Sequence, residues 1–204
     1  MIMKKILTDC DGVLLDWGYS FEKWMKFHFD MDVVNREAYN IADRYESNWE
    51  CLDRNNLFYL PRVFCNSSRI GNLRPHRDSV KYVKKLWEEH GMTLDVVTSL
   101  SLDPESQKLR ERNLRTVFGQ AIDRIICLDT GDDKDEALQE WKDSGNFWIE
   151  DKPENAIAGL NAGLTPILID AEYNQEFSIV DNPEIVRLDN WKHIYSFVTA
   201  NECA

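Results

Sequence analysis

Short apolar runs alternate along this chain with longer stretches of helical period. That is the pattern of parallel strands joined by helices. The first run ends at Thr8 in Asp9-Cys10-Asp11-Gly12, and residues 93–98, 122–128, 146–151, 165–169 and 185–188 read as five further strands. Between them the spacing predicts a helix opened by Pro75, with Val80, Val83, Leu86 and Trp87 on one face and Gly91 as its stop. Further helices are expected over 104–118, 136–141, 153–162 and 191–199, several of them closed by a glycine. The fold class is therefore α/β, a doubly wound parallel sheet. Residues 17–74 differ in character: Phe21, Trp24, Met25 and Phe27 or His28 recur at helical spacing, and Trp49, Leu52, Leu57, Phe58, Leu60, Val63 and Phe64 continue an aromatic-rich pattern. This stretch reads as an inserted helical cap (17–74), leaving 1–16 and 75–204 as the core domain. Residues 172–183 read as the least structured part.

The polar residues at the strand ends carry the chemistry. In an open parallel sheet, ligands collect at the carboxyl ends of the strands, so Asp9 and Asp11 would face a crevice while the residues before them are buried. A spacing of two on an extended segment puts both carboxylates on one side and Cys10 on the other. Two like charges so close need a cation, or one must hold a proton; the bland reading is an acidic turn closed by Gly12. Two more tips are polar: Thr98 with Ser99 and Ser101, and Glu150 with Asp151. Lys134 stands among acids before a helix, where its commonest role would be a solvated pair with Asp132 or Asp133. If the tips converge, carboxylates, hydroxyls and one ammonium would suit Mg²⁺ together with a phosphate. They would suit Zn²⁺ poorly.

Composition narrows the partners. A net charge of −12 disfavours duplex nucleic acid, and disfavours anionic substrates unless a metal and a local lysine reverse the sign. No apolar run approaches a membrane span, and the start carries no long signal-like apolar stretch, so no membrane association and a cytoplasmic address are expected. The five cysteines, Cys10, Cys51, Cys65, Cys127 and Cys203, are scattered and read as reduced thiols.

This ordered set of motifs resembles the haloacid dehalogenase-like superfamily of phosphohydrolases over essentially the whole chain. The resemblance implies that Asp9 is a nucleophile forming an aspartyl-phosphate, and that Asp11 protonates the leaving oxygen and then activates water. It implies that Thr98 and Ser99 bind the phosphoryl group, and that Lys134 neutralises it. Mg²⁺ would be held by Asp9, the Asp11 carbonyl and Asp151, with Glu150 acting through water. The run from Asp9 to Trp17 is similar in more detail to the 5'(3')-deoxyribonucleotidases, as are Thr98-Ser99, Asp133-Lys134, 149–153 and 187–191. That likeness implies that Trp17 stacks on a nucleobase. Glu150 departs from that family's first aspartate, and residues 30–72 match it nowhere in detail. The expected activity is a Mg²⁺-dependent phosphomonoesterase on a nucleoside 5'-monophosphate, working as a monomer or homodimer. The alternatives are a sugar-phosphate phosphatase and an idle protein that binds nucleotide or a partner.

Overall fold

The computed structural model describes residues 5–45 and 54–202. Trp49, Cys51, Leu52 and Cys203 lie outside the described residues. β1 (Ile6–Thr8), β2 (Leu94–Ser99), β3 (Ile122–Leu128), β4 (Phe147–Glu150), β5 (Thr165–Ile169) and β6 (Val186–Leu188) form one sheet in the order β3-β2-β1-β4-β5-β6. Every neighbouring pair is parallel. The chain runs outward from β1 to β3 and then returns to place β4 on the other side of β1. Between β1 and β4 the strand order reverses, and such a reversal opens a crevice at the carboxyl edge.

The connecting helices are α5 (Ser79–His90), α6 (Pro104–Phe118), α7 (Asp135–Leu138), α8 (Pro153–Asn161) and α9 (Trp191–Ala200). The helix expected at Pro75 begins four residues later. Residues 74–76 are instead tied to the loop after β1: Asp16 N donates to Arg74 O at 2.8 Å, His76 N donates to Leu14 O at 2.8 Å, and Pro75 bridges Leu15. Extended pairing claims the residues that a first helical turn would need. Helix α7 is short and continues as a 3₁₀ turn, Gln139–Trp141. The 172–183 stretch is more ordered than its composition suggests, since it opens with the 3₁₀ turn Glu172–Asn174, whose Asn174 is 2% exposed.

Between β1 and α5 lie α1 (Trp17–Phe29), α2 (Ile41–Arg44), α3 (Arg54–Leu57) and α4 (Leu60–Cys65), followed by the 3₁₀ segment Ser68–Asn72. Asp16 caps α1 by accepting from Tyr19 N at 3.0 Å, which satisfies one of the free amides of the first turn. Phe21, Trp24 and Met25 form the buried stripe of α1, whereas Phe27 falls off it and is 76% exposed. Asp16 also accepts from Arg74 Nη2 at 2.7 Å, so the outgoing and returning chains are joined at one place. Phe21 and Trp24 of α1 and Phe64 of α4 belong to the same apolar cluster as Ile6, Val96 and Ile149 of the sheet.

Two tryptophans fix the layers. Trp191 Nε1, on α9, donates to Val13 O at 2.9 Å and so pins the loop that follows β1. Trp148, on β4, is fully buried, donates to Asn155 O at 2.9 Å and packs directly against Gly159 of α8. Among the described residues, no helix is long and apolar enough to cross a membrane.

Gly159 has no room for a side chain: a Cβ there would meet the indole, with Trp148 Cγ at 3.0 Å. Gly159→Ala should therefore destabilise the protein by about 1–3 kcal/mol, against the gain that alanine usually brings to a helix. Urea unfolding followed by tryptophan fluorescence measures this; an unchanged midpoint would mean that α8 shifts freely on the sheet.

Candidate active site

The carboxyl ends of β1, β2 and β4 meet around a cavity of about 470 Å³, whose wall includes Asp9, Asp11, Thr98, Ser99, Lys134, Glu150, Asp151 and Trp17. These eight share one cavity, whereas Ser101, the third hydroxyl at the β2 tip, is not on its wall and donates to Asn66 Oδ1 at 2.6 Å instead. Their arrangement is uneven, and the differences are chemical.

Lys134 sits at the centre. It is 2% exposed, and its ammonium lies 2.7 Å from Asp9 Oδ1 and 2.7 Å from Glu150 Oε2. The solvated pairing with Asp132 or Asp133 is not what forms. Burial works against the charge on Lys134, and the two carboxylates overcome it and raise its pKa. Glu150 is wholly enclosed. Its Oε1 accepts from Asp151 N at 3.0 Å and Lys152 N at 3.1 Å; burial works to raise its pKa, but Lys134, with the Asp151 side chain and the Lys152 amide, holds it below the usual value. With both oxygens engaged, Glu150 holds Lys134 toward Asp9.

Asp9 and Asp151 carry the unbalanced charge. Burial pushes the Asp9 carboxyl up to about 7; Lys134 opposes the shift, while Glu150 and Asp11 add to it. Burial and the neighbouring Glu150 likewise push Asp151 well up. Asp9, Glu150 and Asp151 each offer an oxygen within 4.8 Å of the others. With all three carboxylates ionised, the one ammonium leaves two negative charges, which a divalent cation would balance; without one, burial favours the protonated forms of Asp9 and Asp151. An all-oxygen, enclosed donor set of this kind fits Mg²⁺.

Thr98 also lines the cavity. Its Oγ1 is buried and has no hydrogen-bond partner among the described residues, a costly state for a hydroxyl that a phosphoryl oxygen would relieve. Ser99 is committed elsewhere: its hydroxyl donates to Asp132 O at 2.7 Å and ties the β2 tip to the loop that carries Lys134. Trp17 stacks on Phe21, with ring centroids 4.5 Å apart and planes inclined by 11°, and meets Phe64 edge-on. One of its faces is therefore already covered.

Two residues were missed in the sequence. Arg110, on α6, is fully buried and grips Asp11 in a fork, Nη1 to Oδ1 at 2.6 Å and Nη2 to Oδ2 at 3.0 Å, with Cys10 Sγ beside it. Its signal was its place on the inward stripe of α6, with Ser106, Asn113 and Leu114. Tyr173, on the turn Glu172–Asn174, donates its hydroxyl to Asp151 Oδ2. Gly12 makes room for that pair: its φ is +80°, and a Cβ there would lie 2.9 Å from Asp151 Cγ and 3.0 Å from Tyr173 Oη.

No protein-family model and no curated protein matches the sequence. Solved structures do match in shape. A haloacid dehalogenase-like family hydrolase from Streptococcus pneumoniae aligns with a TM-score of 0.63 at 15% identity, covering 96% of this chain and 98% of that one. A phosphoglycolate phosphatase structure from Lactobacillus delbrueckii aligns at 0.64 and 15%, covering 97% and 99%. CbbY from Rhodobacter sphaeroides, solved with xylulose-(1,5)bisphosphate, aligns at 0.55 and 15%, covering 93% and 95%. The likeness is one of fold, and it spans each chain nearly end to end: this protein has the haloacid dehalogenase-like fold.

Proposed function

We propose that the chain is a phosphomonoesterase in which Asp9 is the nucleophile and Mg²⁺ the cofactor. The observation that carries this reading is the buried cluster of Asp9, Lys134, Glu150 and Asp151, two negative charges in excess when ionised, beside the unpaired Thr98 hydroxyl. Asp9 Oδ attacks phosphorus and the ester oxygen leaves, taking a proton from Asp11. Asp11 then takes a proton from water, which attacks the aspartyl-phosphate at phosphorus and releases inorganic phosphate with Asp9 restored. Thr98 donates to a phosphoryl oxygen, and Lys134 offsets charge on the nucleophile and the transferring group. Mg²⁺, held by Asp9, the Asp11 carbonyl and Asp151, with Glu150 through water, would spread the remaining phosphoryl charge.

Residues 17–74 act in this reading as a cap. Trp17, Pro61 and Cys65 line the cavity, and Arg62 of α4, next to Pro61, joins Asp129 of the loop after β3 in a fork at 2.8 and 3.0 Å, tying this segment to the loop beside the site. Such a cover excludes bulk water from the reacting groups. The substrate is a small phosphate ester, and the structures of similar fold that are named for phosphoglycolate or solved with a sugar bisphosphate favour a compact one. A nucleoside monophosphate is the second reading, supported by the aromatic wall of Trp17, Tyr39, Phe58 and Tyr173. On that wall a planar base could stack.

Phosphate release from a panel of sugar phosphates, phosphoglycolate and nucleoside monophosphates, with Mg²⁺ and with EDTA, tests the function. Metal-dependent release is expected, and Asp9→Asn should reduce it to background; activity surviving that substitution, or full activity in EDTA, would overturn the mechanism. The ester turned over fastest decides between the two substrates.

Asp11 should prove structural as well as catalytic, because among the described residues it is the one carboxylate paired with the buried Arg110. Asp11→Ala is expected to lower the rate by about 10²–10⁴-fold and to cost about 2–3 kcal/mol of stability, less than for a fully enclosed pair since Asp11 is 22% exposed. Adding Arg110→Met should return part of that stability without returning activity, as read by urea unfolding and phosphate release. An equally unstable double variant would show that the buried charge is not the cause.

A further inference from the structure

Tyr173 lies in a stretch whose composition suggests little structure, yet three separate segments close on it. Its hydroxyl donates to Asp151 Oδ2, and the next residue, Asn174, donates from Nδ2 to the Asp151 carbonyl at 2.8 Å and to Ile169 O at 2.9 Å. Asn174 is itself fixed by Arg187 of β6, which donates to its Oδ1 at 2.7 Å and to its carbonyl at 2.9 Å. The Tyr173 ring packs edge-on against Tyr39, centroids 5.4 Å apart, and its hydroxyl passes over Gly12 in the space left by the absent side chain. The side chain and the backbone of Asp151 are therefore both braced by one turn, Glu172–Asn174, which is anchored in its turn to the sheet. A hydroxyl donated to one carboxylate oxygen fixes the plane of the group and leaves the other oxygen to a cation, and such outer partners govern metal affinity.

We propose that Tyr173 is a positioning residue for the divalent cation, setting the Asp151 carboxylate in the orientation in which it binds metal. The proposal rests on the reading of Asp9, Glu150 and Asp151 as the cation site.

The test is calorimetric titration of Mg²⁺ into the metal-free protein, for the wild type, Tyr173→Phe and Asp151→Asn, with the melting temperature of each recorded without metal. The Phe variant keeps the ring and its contact with Tyr39, so its metal-free melting temperature should match the wild type, while its Kd for Mg²⁺ rises about 10–100-fold. Asp151→Asn should abolish binding. A Phe variant that binds as tightly as the wild type, or more tightly, overturns the role given to Tyr173 and leaves the cation site standing. A Phe variant that melts several degrees early without metal assigns Tyr173 to the fold instead, and this also overturns the proposal. A wild type that takes up no Mg²⁺ overturns the cation site, and the role of Tyr173 with it.

Discussion

One buried ammonium organises this protein. Lys134 has almost no contact with water, so its charge is tolerable only because Asp9 and Glu150 both lie against it at 2.7 Å. That requirement reaches into the backbone. Asp9 must end β1, Glu150 must end β4, and the loop after β3 must turn inward instead of following the surface. The sheet meets the first two demands by placing β4 directly beside β1, where Asp9 N also donates to Ile149 O at 2.8 Å. Ser99 helps with the third by holding the Asp132 carbonyl.

A second charge balance stands beside the first and is kept apart from it. Arg110 neutralises Asp11 as Lys134 neutralises Asp9, but it approaches from α6 on the far side of Cys10. The same helix also holds the returning end of residues 17–74, since Asn113 exchanges hydrogen bonds with both Leu73 N, at 2.9 Å, and Leu73 O, at 3.1 Å. One rigid element thus contacts both the second acid of the site and the point where the helical segment rejoins the core. Burial of the Cys10 thiol between these groups pushes its pKa well up, which leaves it a packing residue and not a nucleophile.

What could be read in the sequence follows from the range of the forces involved. Strand tips were legible because an apolar run that stops in Asp-x-Asp or Glu-Asp leaves the charges nowhere to go but the sheet edge. Helix ends at Pro104, Gly119 and Pro153 were legible because proline and glycine act locally. Pro75 misled for the same reason: its local preference for a first helical turn lost to a distant pairing with Leu15. Lys134 stood out as a lone lysine among acids before a helix, but its role came only through resemblance, since nothing nearby says whether such a lysine turns in or out. Arg110 looked like one more charge on a polar helix, and its partner is 99 residues away. Tyr173 had no periodic pattern around it at all.

The site draws its groups from the ends of β1, β2 and β4, from the loop that carries Lys134, from α6 and from the turn after β5, so it is assembled chiefly by long-range contacts. No fragment that stops before β4 holds the three-carboxylate cluster, since Glu150 and Asp151 come with that strand. Any ligand of this cavity would therefore act on the folding equilibrium of the whole molecule and not on one local piece of it. Its occupancy and the stability of the whole fold are thereby linked, each raising the other.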